Sequence, residues 1–170
     1  MSAWAPKQHA LADVPDRTAL QRLLDDAFPD MAGDYYGSVI PDTVFLETRG
    51  KDVFGHLALF KRDVLLDGQP DRIGLLGGIA VATGWQGMGL AKALIAAAHD
   101  QLRHDGVAFS ILFAFDPDRY LSSGYRPILN ETRFLEAGLP RQFVYRGGMV
   151  AVLGDRPWTC GLLDLQGPVV

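Results

Sequence analysis

The chain has 170 residues, 48% of them hydrophobic, which is enough for one domain spanning residues 1–170 with a core of its own. A formal net charge of −4 argues against a nucleic-acid footprint, and no run of eighteen apolar residues is present to cross a membrane. Met1-Ser2-Ala3-Trp4-Ala5-Pro6 lacks a basic segment followed by an apolar one, and the lone Cys160 has no internal partner, so the expectation is a soluble, cytoplasmic protein without an internal disulfide.

In chain order, residues 7–12 read as a short first strand. Asp13-Val14-Pro15-Asp16 offers an N-cap candidate, an early proline and an acid three residues on. Leu20, Leu23, Leu24, Ala27 and Phe28 then share one helical face until Pro29 stops it. Asp30–Pro41 reads as irregular or briefly helical. From Leu23 to Thr48 the chain carries Asp25, Asp26, Asp30, Asp34, Asp42 and Glu47 and no Lys or Arg. That run is either a solvated acidic face or a rim that draws a cationic amine. Thr43–Thr48, Val53–Leu66 and Arg72–Val81 follow as an antiparallel meander, with turns at Arg49-Gly50-Lys51-Asp52 and at Asp67-Gly68. Gly77-Gly78 inside the third of these strands marks a bulge or the close approach of a ligand. A helix from about Gly87 to Asp105 ends at Gly106, and Ala108–Phe115 has the length of a strand. Its connection through a helix implies parallel pairing with the strand before. A short helix at Pro117–Ser123 leads to Gly124, and the last strands are expected at Arg126–Phe134 and Gln142–Leu153, with a break at Gly147-Gly148. The tail Arg156–Val170 contains Trp158 and is apolar enough to pack back on the domain.

The most informative stretch is Gly74–Ala98. Its apolar run through Ile79 and Val81, its glycine-rich turn and its helical spacing of Leu90, Ala91, Leu94, Ile95 and Ala98 read as strand, loop and helix. Such a junction suits a phosphate, because Gly84, Gly87 and Gly89 let backbone N–H groups point inward and the positive end of the helix dipole lies behind them. A P-loop would need Lys-Ser/Thr after the last glycine, where Leu90-Ala91 stands, and Lys92 occupies the place of the third glycine of a dinucleotide fingerprint. Gln86-Gly87-Met88-Gly89-Leu90-Ala91 instead resembles Gln/Arg-x-x-Gly-x-Gly/Ala, the pyrophosphate motif of the GNAT superfamily of acyl-CoA N-acyltransferases. Tyr120-Leu121-Ser122-Ser123-Gly124-Tyr125 resembles the family's Tyr-x-x-x-Gly-Phe/Tyr signature. The resemblance implies an α/β fold with a mixed, mostly antiparallel central sheet, splayed between strands four and five, and helices on both faces. It also implies acetyl-CoA (coenzyme A) as cofactor. Gln86, Gly87, Met88, Gly89, Leu90 and Ala91 would hold the pyrophosphate, and the backbone of Ile79, Ala80 and Val81 would bond the pantetheine arm.

N-acyl transfer asks the protein to hold an activated thioester beside a neutral amine, stabilise the oxyanion and help the thiolate leave. By resemblance Tyr120 meets the cofactor sulfur, and a phenol can protonate a leaving thiolate. Many family members place a Glu on the strand before the pyrophosphate loop, but Ile73–Val81 contains no carboxylate. The base candidates are therefore Asp34, His56, Glu47, Asp116 and the chain-terminal carboxylate. Asp116 follows the parallel strand directly, where ligands of open sheets sit, or else caps the helix that begins at Pro117. Cys160 has no neighbour in sequence to lower its pKa, which disfavours a covalent acyl carrier. No metal is expected. Phe54-Gly-His-Leu-Ala-Leu-Phe-Lys-Arg, Ala32-Gly-Asp-Tyr and Trp158-x-x-Gly161 also resemble the aminoglycoside 2′-N-acetyltransferases, and the ending resembles the nodulation-factor N-acyltransferases. The expected activity is N-acetyl transfer to a primary amine of a small molecule, cationic or an amino sugar, by a monomer or homodimer with no nucleic-acid or membrane partner. The rival reading is a non-catalytic acyl-CoA-binding module that kept the loop and lost the base.

Overall fold

The computed structural model describes residues 4–37 and 39–170, so Met1–Ala3, which open the stretch read for a leader, lie outside the described residues. The chain forms two compact units: the described residues up to Phe60 with Leu76–Asp100, and Lys61–Leu75 with Gln101–Val170. No helix among the described residues is long and apolar enough to cross a membrane.

In the first unit, β1 (Lys7–His9) pairs antiparallel with β2 (Thr43–Arg49), which pairs antiparallel with β3 (Asp52–Leu66). The first strand is shorter than predicted because the chain turns at Leu11–Asp13, where the Asp13 amide bonds the Ala10 carbonyl at 2.9 Å. Asp13 therefore closes a 3-10 turn, and the cap of α1 (Arg17–Ala27) is Asp16, whose Oδ1 accepts from the Ala19 amide at 2.9 Å. Such a cap contributes about 1 kcal/mol. The helix buries Leu20, Leu23 and Leu24, as their spacing predicts; each fully buried leucine is worth roughly 1.5–3 kcal/mol.

In β3, Gly55–Phe60 is an unbroken buried run, the pattern of a strand covered on both faces. α2 (Leu90–His104) covers one of them. A Cβ at Gly55 would stand 2.9 Å from the Leu90 side chain, so this glycine lets the first turn of α2 settle on the strand. β4 (Gln69–Val81) begins three residues before the predicted Arg72. Asp67 and Gly68, at φ 52° and 74°, make a turn with two left-handed residues, and pairing resumes at once after such a hairpin turn. Within β4, Gly78 has φ 58°, which answers the expectation drawn from Gly77-Gly78.

In the second unit β5 is Phe109–Phe113, β6 Tyr125–Pro127, β7 Glu131–Glu136, β8 Leu139–Val144, β9 Gly148–Val152 and β10 Leu163–Asp164. The strand order is β6-β9-β5-β4-β3-β10-β7-β8, and β3 and β4 each contribute residues to both units. β9 pairs antiparallel with β5 and β6, and β7 antiparallel with β8. α2 ends as Gly106 predicts: at φ 73° its amide bonds Arg103, and the Val107 amide reaches back to Leu102 at 2.9 Å. The segment predicted as one strand at Arg126–Phe134 is two, because its halves serve different neighbours. Between them Asn130 is drawn aside, donating to the Thr159 carbonyl at 2.8 Å and accepting from the Trp158 indole at 2.9 Å. Gln142–Leu153 likewise divides at Gly147, φ 87°. The tail packs back as expected: Leu163 pairs antiparallel with Leu66 and parallel with Thr132, and Leu163 and Leu165 are fully buried. The result is a mixed α/β fold with a mostly antiparallel sheet.

Candidate active site

The anion-binding motif occupies the turn between β4 and α2. Ile79 and Val81 are half-buried with Ala80 buried between them, a 3-10 turn covers Thr83–Trp85, and Gln86–Gly89 is exposed. Gly87 and Gly89 have φ 74° and 81°, left-handed conformations that favour glycine, and a Cβ on either would meet only open space. Their role is thus to turn the backbone rather than to make room for a neighbour. The first intrahelical bond of α2 runs from the Ala93 amide to Gly89 at 3.1 Å, so the amides of Gly89 to Lys92 have no acceptor within the helix. Leu90 sends its side chain into the core, leaving its backbone N–H as the part turned to ligand chemistry. The Gln86 side chain braces the loop instead, donating to the Val81 carbonyl at 3.1 Å. Trp4 holds the far side, its indole donating to the Met88 carbonyl at 2.8 Å. Arg49 lies over the rings of Trp85 and Trp4, at 4.6 Å and 5.3 Å from their centroids.

Beside Gly78 the same unit holds a polar cluster in an apolar setting. His56 on β3 is fully buried, its Nδ1 2.7 Å from the Gly78 carbonyl and its Nε2 2.6 Å from the Tyr36 hydroxyl. Because a carbonyl only accepts, Nδ1 carries the proton, and Nε2 accepts from the phenol. Burial pushes the imidazole pKa down to about 4, against the pull of the Gly78 bond, so the ring is neutral at ordinary pH. Tyr35 and Tyr36 meet edge to face, with centroids 5.2 Å apart, and the Tyr35 ring packs on Phe28 at 4.9 Å. A Cβ at Gly78 would stand 2.7 Å from the Tyr35 hydroxyl, so the glycine is required for space as well as for φ. Burial raises the pKa of Tyr35 to about 12 and that of Tyr36 as well, so both phenols keep their protons.

The other candidates are dispersed. Asp34 is exposed in the turn that precedes Tyr35. Glu47 on β2 accepts from the Ala5 amide at 3.0 Å, which ties down the N-terminal segment. In the second unit Tyr120 is half-buried on a 3-10 helix, Pro117–Ser123, with its ring edge to face with Tyr125 at 6.3 Å. Burial raises its pKa, and no group among the described residues bonds its hydroxyl. The Tyr125 hydroxyl behind it is buried and 2.6 Å from Ser110 Oγ. Asp116 precedes that helix, but its side chain makes no cap; it pairs with Arg119 at 2.8 Å on an exposed surface. The pairing of Tyr36 with His56 escaped sequence reading, although adjacent tyrosines in an irregular stretch and a histidine inside an apolar strand were its visible signals.

A profile for the acetyltransferase (GNAT) domain matches residues 16–128. No curated protein matches the sequence. Among solved structures, the GNAT family N-acetyltransferase YhbS from Escherichia coli in complex with CoA is similar over 97% of this chain and 92% of its own, at 20% identity and a TM-score of 0.70. An aminoglycoside 6′-N-acetyltransferase complexed with coenzyme A is similar over 90% of this chain and 99% of its own, at 12% identity and TM-score 0.64. A GNAT family acetyltransferase from Brucella melitensis in complex with acetyl-CoA gives 92%, 93%, 18% and 0.61 in the same order. Longer relatives from Enterococcus faecalis and Anabaena variabilis are spanned over 34% and 33% of their length. At these identities the likeness is one of fold.

Proposed function

The chain belongs to the GNAT acetyltransferase family, and from that premise we propose that it moves an acetyl group from acetyl-CoA to a primary amine by direct attack in a ternary complex. The observation that carries the reading is the segment from Gly78 to Leu90. A left-handed glycine lies within β4, the half-buried Ile79 and Val81 follow, and an exposed loop then delivers the amides left without an intrahelical acceptor at the start of a fifteen-residue helix. Acetyl-CoA fits such a segment: the amides of Gln86 to Ala91 face its pyrophosphate, and the backbone of Ile79, Ala80 and Val81 bonds the pantetheine arm. The amine nitrogen attacks the thioester carbon, the carbonyl electrons move to oxygen, and the C–S bond breaks as the carbonyl re-forms. Tyr120 gives its proton to the thiolate. Its raised pKa keeps that proton in place at neutral pH, and the modest basicity of a thiolate, with a conjugate pKa of about 8.5, makes this help useful without being indispensable.

The acceptor is read as a cationic small molecule, an amino sugar among the candidates. Support comes from Asp26, Asp30 and Asp34, which stay exposed in a segment without Lys or Arg. Asp25 and Glu47 of the same run are engaged instead: Asp25 accepts from Gln21 and the Gly33 amide, and these bonds hold its carboxyl below the usual range. An aminoglycoside 6′-N-acetyltransferase shares the fold. The test is thiol release from acetyl-CoA against aminoglycosides, polyamines, amino acids and peptide N-termini, with Tyr120→Phe alongside. Release that depends on a cationic acceptor and drops in the variant supports the reading. Tight acetyl-CoA binding without turnover favours an acyl-CoA-binding module, and no binding at all overturns the assignment of the loop.

A further inference from the structure

We propose that Tyr36 and His56 form a two-step proton relay for the acetyl transfer, with Tyr36 as the catalytic residue that meets the amine and His56 as the group behind it that receives the proton. The inference rests on the acetyl-transfer reading above and supplies the base that Ile73–Val81 lacks.

Three observations converge on the pair. His56 is wholly buried, and both ring nitrogens are engaged, so it reaches a substrate only through the Tyr36 hydroxyl, which lies 2.6 Å from Nε2. Tyr36 is half-buried where His56 is sealed off, which makes its hydroxyl the outer member of the pair, and it follows the exposed Asp34 by two residues. The relay is anchored at the Gly78 carbonyl, one residue before the backbone assigned to the cofactor arm. A structural hydrogen bond alone would explain the contact between Tyr36 and His56. The placement adds more: a strand buried and apolar from Leu57 to Phe60 carries an imidazole whose accepting nitrogen meets a half-buried phenol, a path for a proton from that phenol inward. Burial holds the proton on the resting Tyr36 phenol, and the positive charge of Arg17 works the other way, easing the phenolate character that develops as the proton moves on.

The step balances as follows. The amine nitrogen forms its bond to the thioester carbon and becomes a cation with an acidic N–H. The Tyr36 oxygen takes this proton while its own passes to His56 Nε2, giving an imidazolium whose Nδ1–H still donates to Gly78 and which is short-lived, since burial favours the neutral ring. The oxyanion re-forms the carbonyl, the C–S bond breaks, and the thiolate leaves with the proton from Tyr120. The extra proton then leaves His56 by the same route, through the Tyr36 hydroxyl to solvent, solvent restores one to Tyr120, and the products are the amide and the free thiol.

The experiment compares Tyr36→Phe, His56→Gln and the double variant with the parent, using the best amine from the panel and measuring kcat, KM and acetyl-CoA affinity. Glutamine can still donate at one end and accept at the other, but it cannot hold the extra proton. The expected result is a fall of about 100-fold in kcat for each single variant. Acetyl-CoA affinity should stay within about threefold of the parent, and the double variant should be no worse than the worse single one, because the two residues act as a unit. Single-turnover rates in mixtures of light and heavy water provide a readout that needs neither substitution. In the Tyr120→Phe protein they should follow a bowed curve, with more than one proton in flight. Variants that keep kcat within about threefold, or a linear curve, overturn the relay while leaving the transferase standing. A parent that binds acetyl-CoA but acetylates no amine fails at the earlier reading instead.

Discussion

His56 makes acid stability a direct test of the buried cluster. Its pKa stands near 4 in the folded chain and about 6.5 in an unfolded one. The depressed folded value means that the unfolded state binds the proton first, so stability is complete above pH 6.5 and is lost as the pH falls toward 4. Each pKa unit is worth about 1.36 kcal/mol, which places the full loss on the order of 3 kcal/mol. Taking the two titrations together, roughly a third to a half of it is gone by pH 5.5 and most of it by pH 4. Other carboxyl groups also titrate in this window, so the comparison is made against His56→Gln, which lacks the imidazole and keeps the rest. Urea unfolding of both proteins at pH 7, 5.5 and 4.5 isolates the difference. The parent should lose its advantage over the variant steadily as the pH drops. Parallel losses in the two proteins would refute the reasoning, since they would mean that the imidazole is protonated in the folded state as readily as in the unfolded one.

Three further outcomes follow from the geometry. Gly89→Ala and Gly87→Ala force an L-residue into a left-handed conformation at φ 81° and 74°, a cost of about 1–2 kcal/mol that displaces the loop amides; titration calorimetry should show acetyl-CoA bound about tenfold more weakly, and an unchanged affinity would remove the loop from the site. Tyr120→Phe should lower kcat roughly 10- to 100-fold with the KM for acetyl-CoA little altered, and a rise in KM alone would reassign the tyrosine to binding. Gly147→Ala drives a Cβ into the Ala114 carbonyl oxygen at φ 87°. It should cost more than about 2 kcal/mol, lowering Tm by at least about 4 °C in a scanning experiment; an unshifted transition would mean that the β8 to β9 connection yields easily.

Local signals carried most of the fold. The β3 to β4 hairpin, the special backbone at Gly78 and the strand-loop-helix junction are written in contiguous residues, where periodicity and glycine placement act directly. The cap of α1 was misread because Asp13 and Asp16 both precede the helix, and only the turn at Leu11–Asp13 decides between them. The break within Gln142–Leu153 was legible at Gly147-Gly148, where a left-handed glycine stands, whereas the division of Arg126–Phe134 reflects partners far apart in sequence, such as Asn130 with Trp158, which no local pattern contains. Of the candidate site, the cofactor loop was legible because its chemistry is backbone chemistry at fixed spacing. The Tyr36–His56 pair was not, because residues twenty apart meet only once β3 and the segment after α1 are folded. Asp116 reads as a cap from its place before Pro117, yet Arg119 draws its carboxylate outward.

The central claim is tested most directly by incubating the protein with acetyl-CoA carrying a labelled acetyl group and a cationic amine, and identifying the products by mass spectrometry. The account predicts that the label moves to the amine nitrogen as an amide, one for each thiol released, and that Gly89→Ala slows the transfer at subsaturating acetyl-CoA. Label that stays on the thioester across the amine panel, or that leaves it as free acetate regardless of the amine, would contradict it.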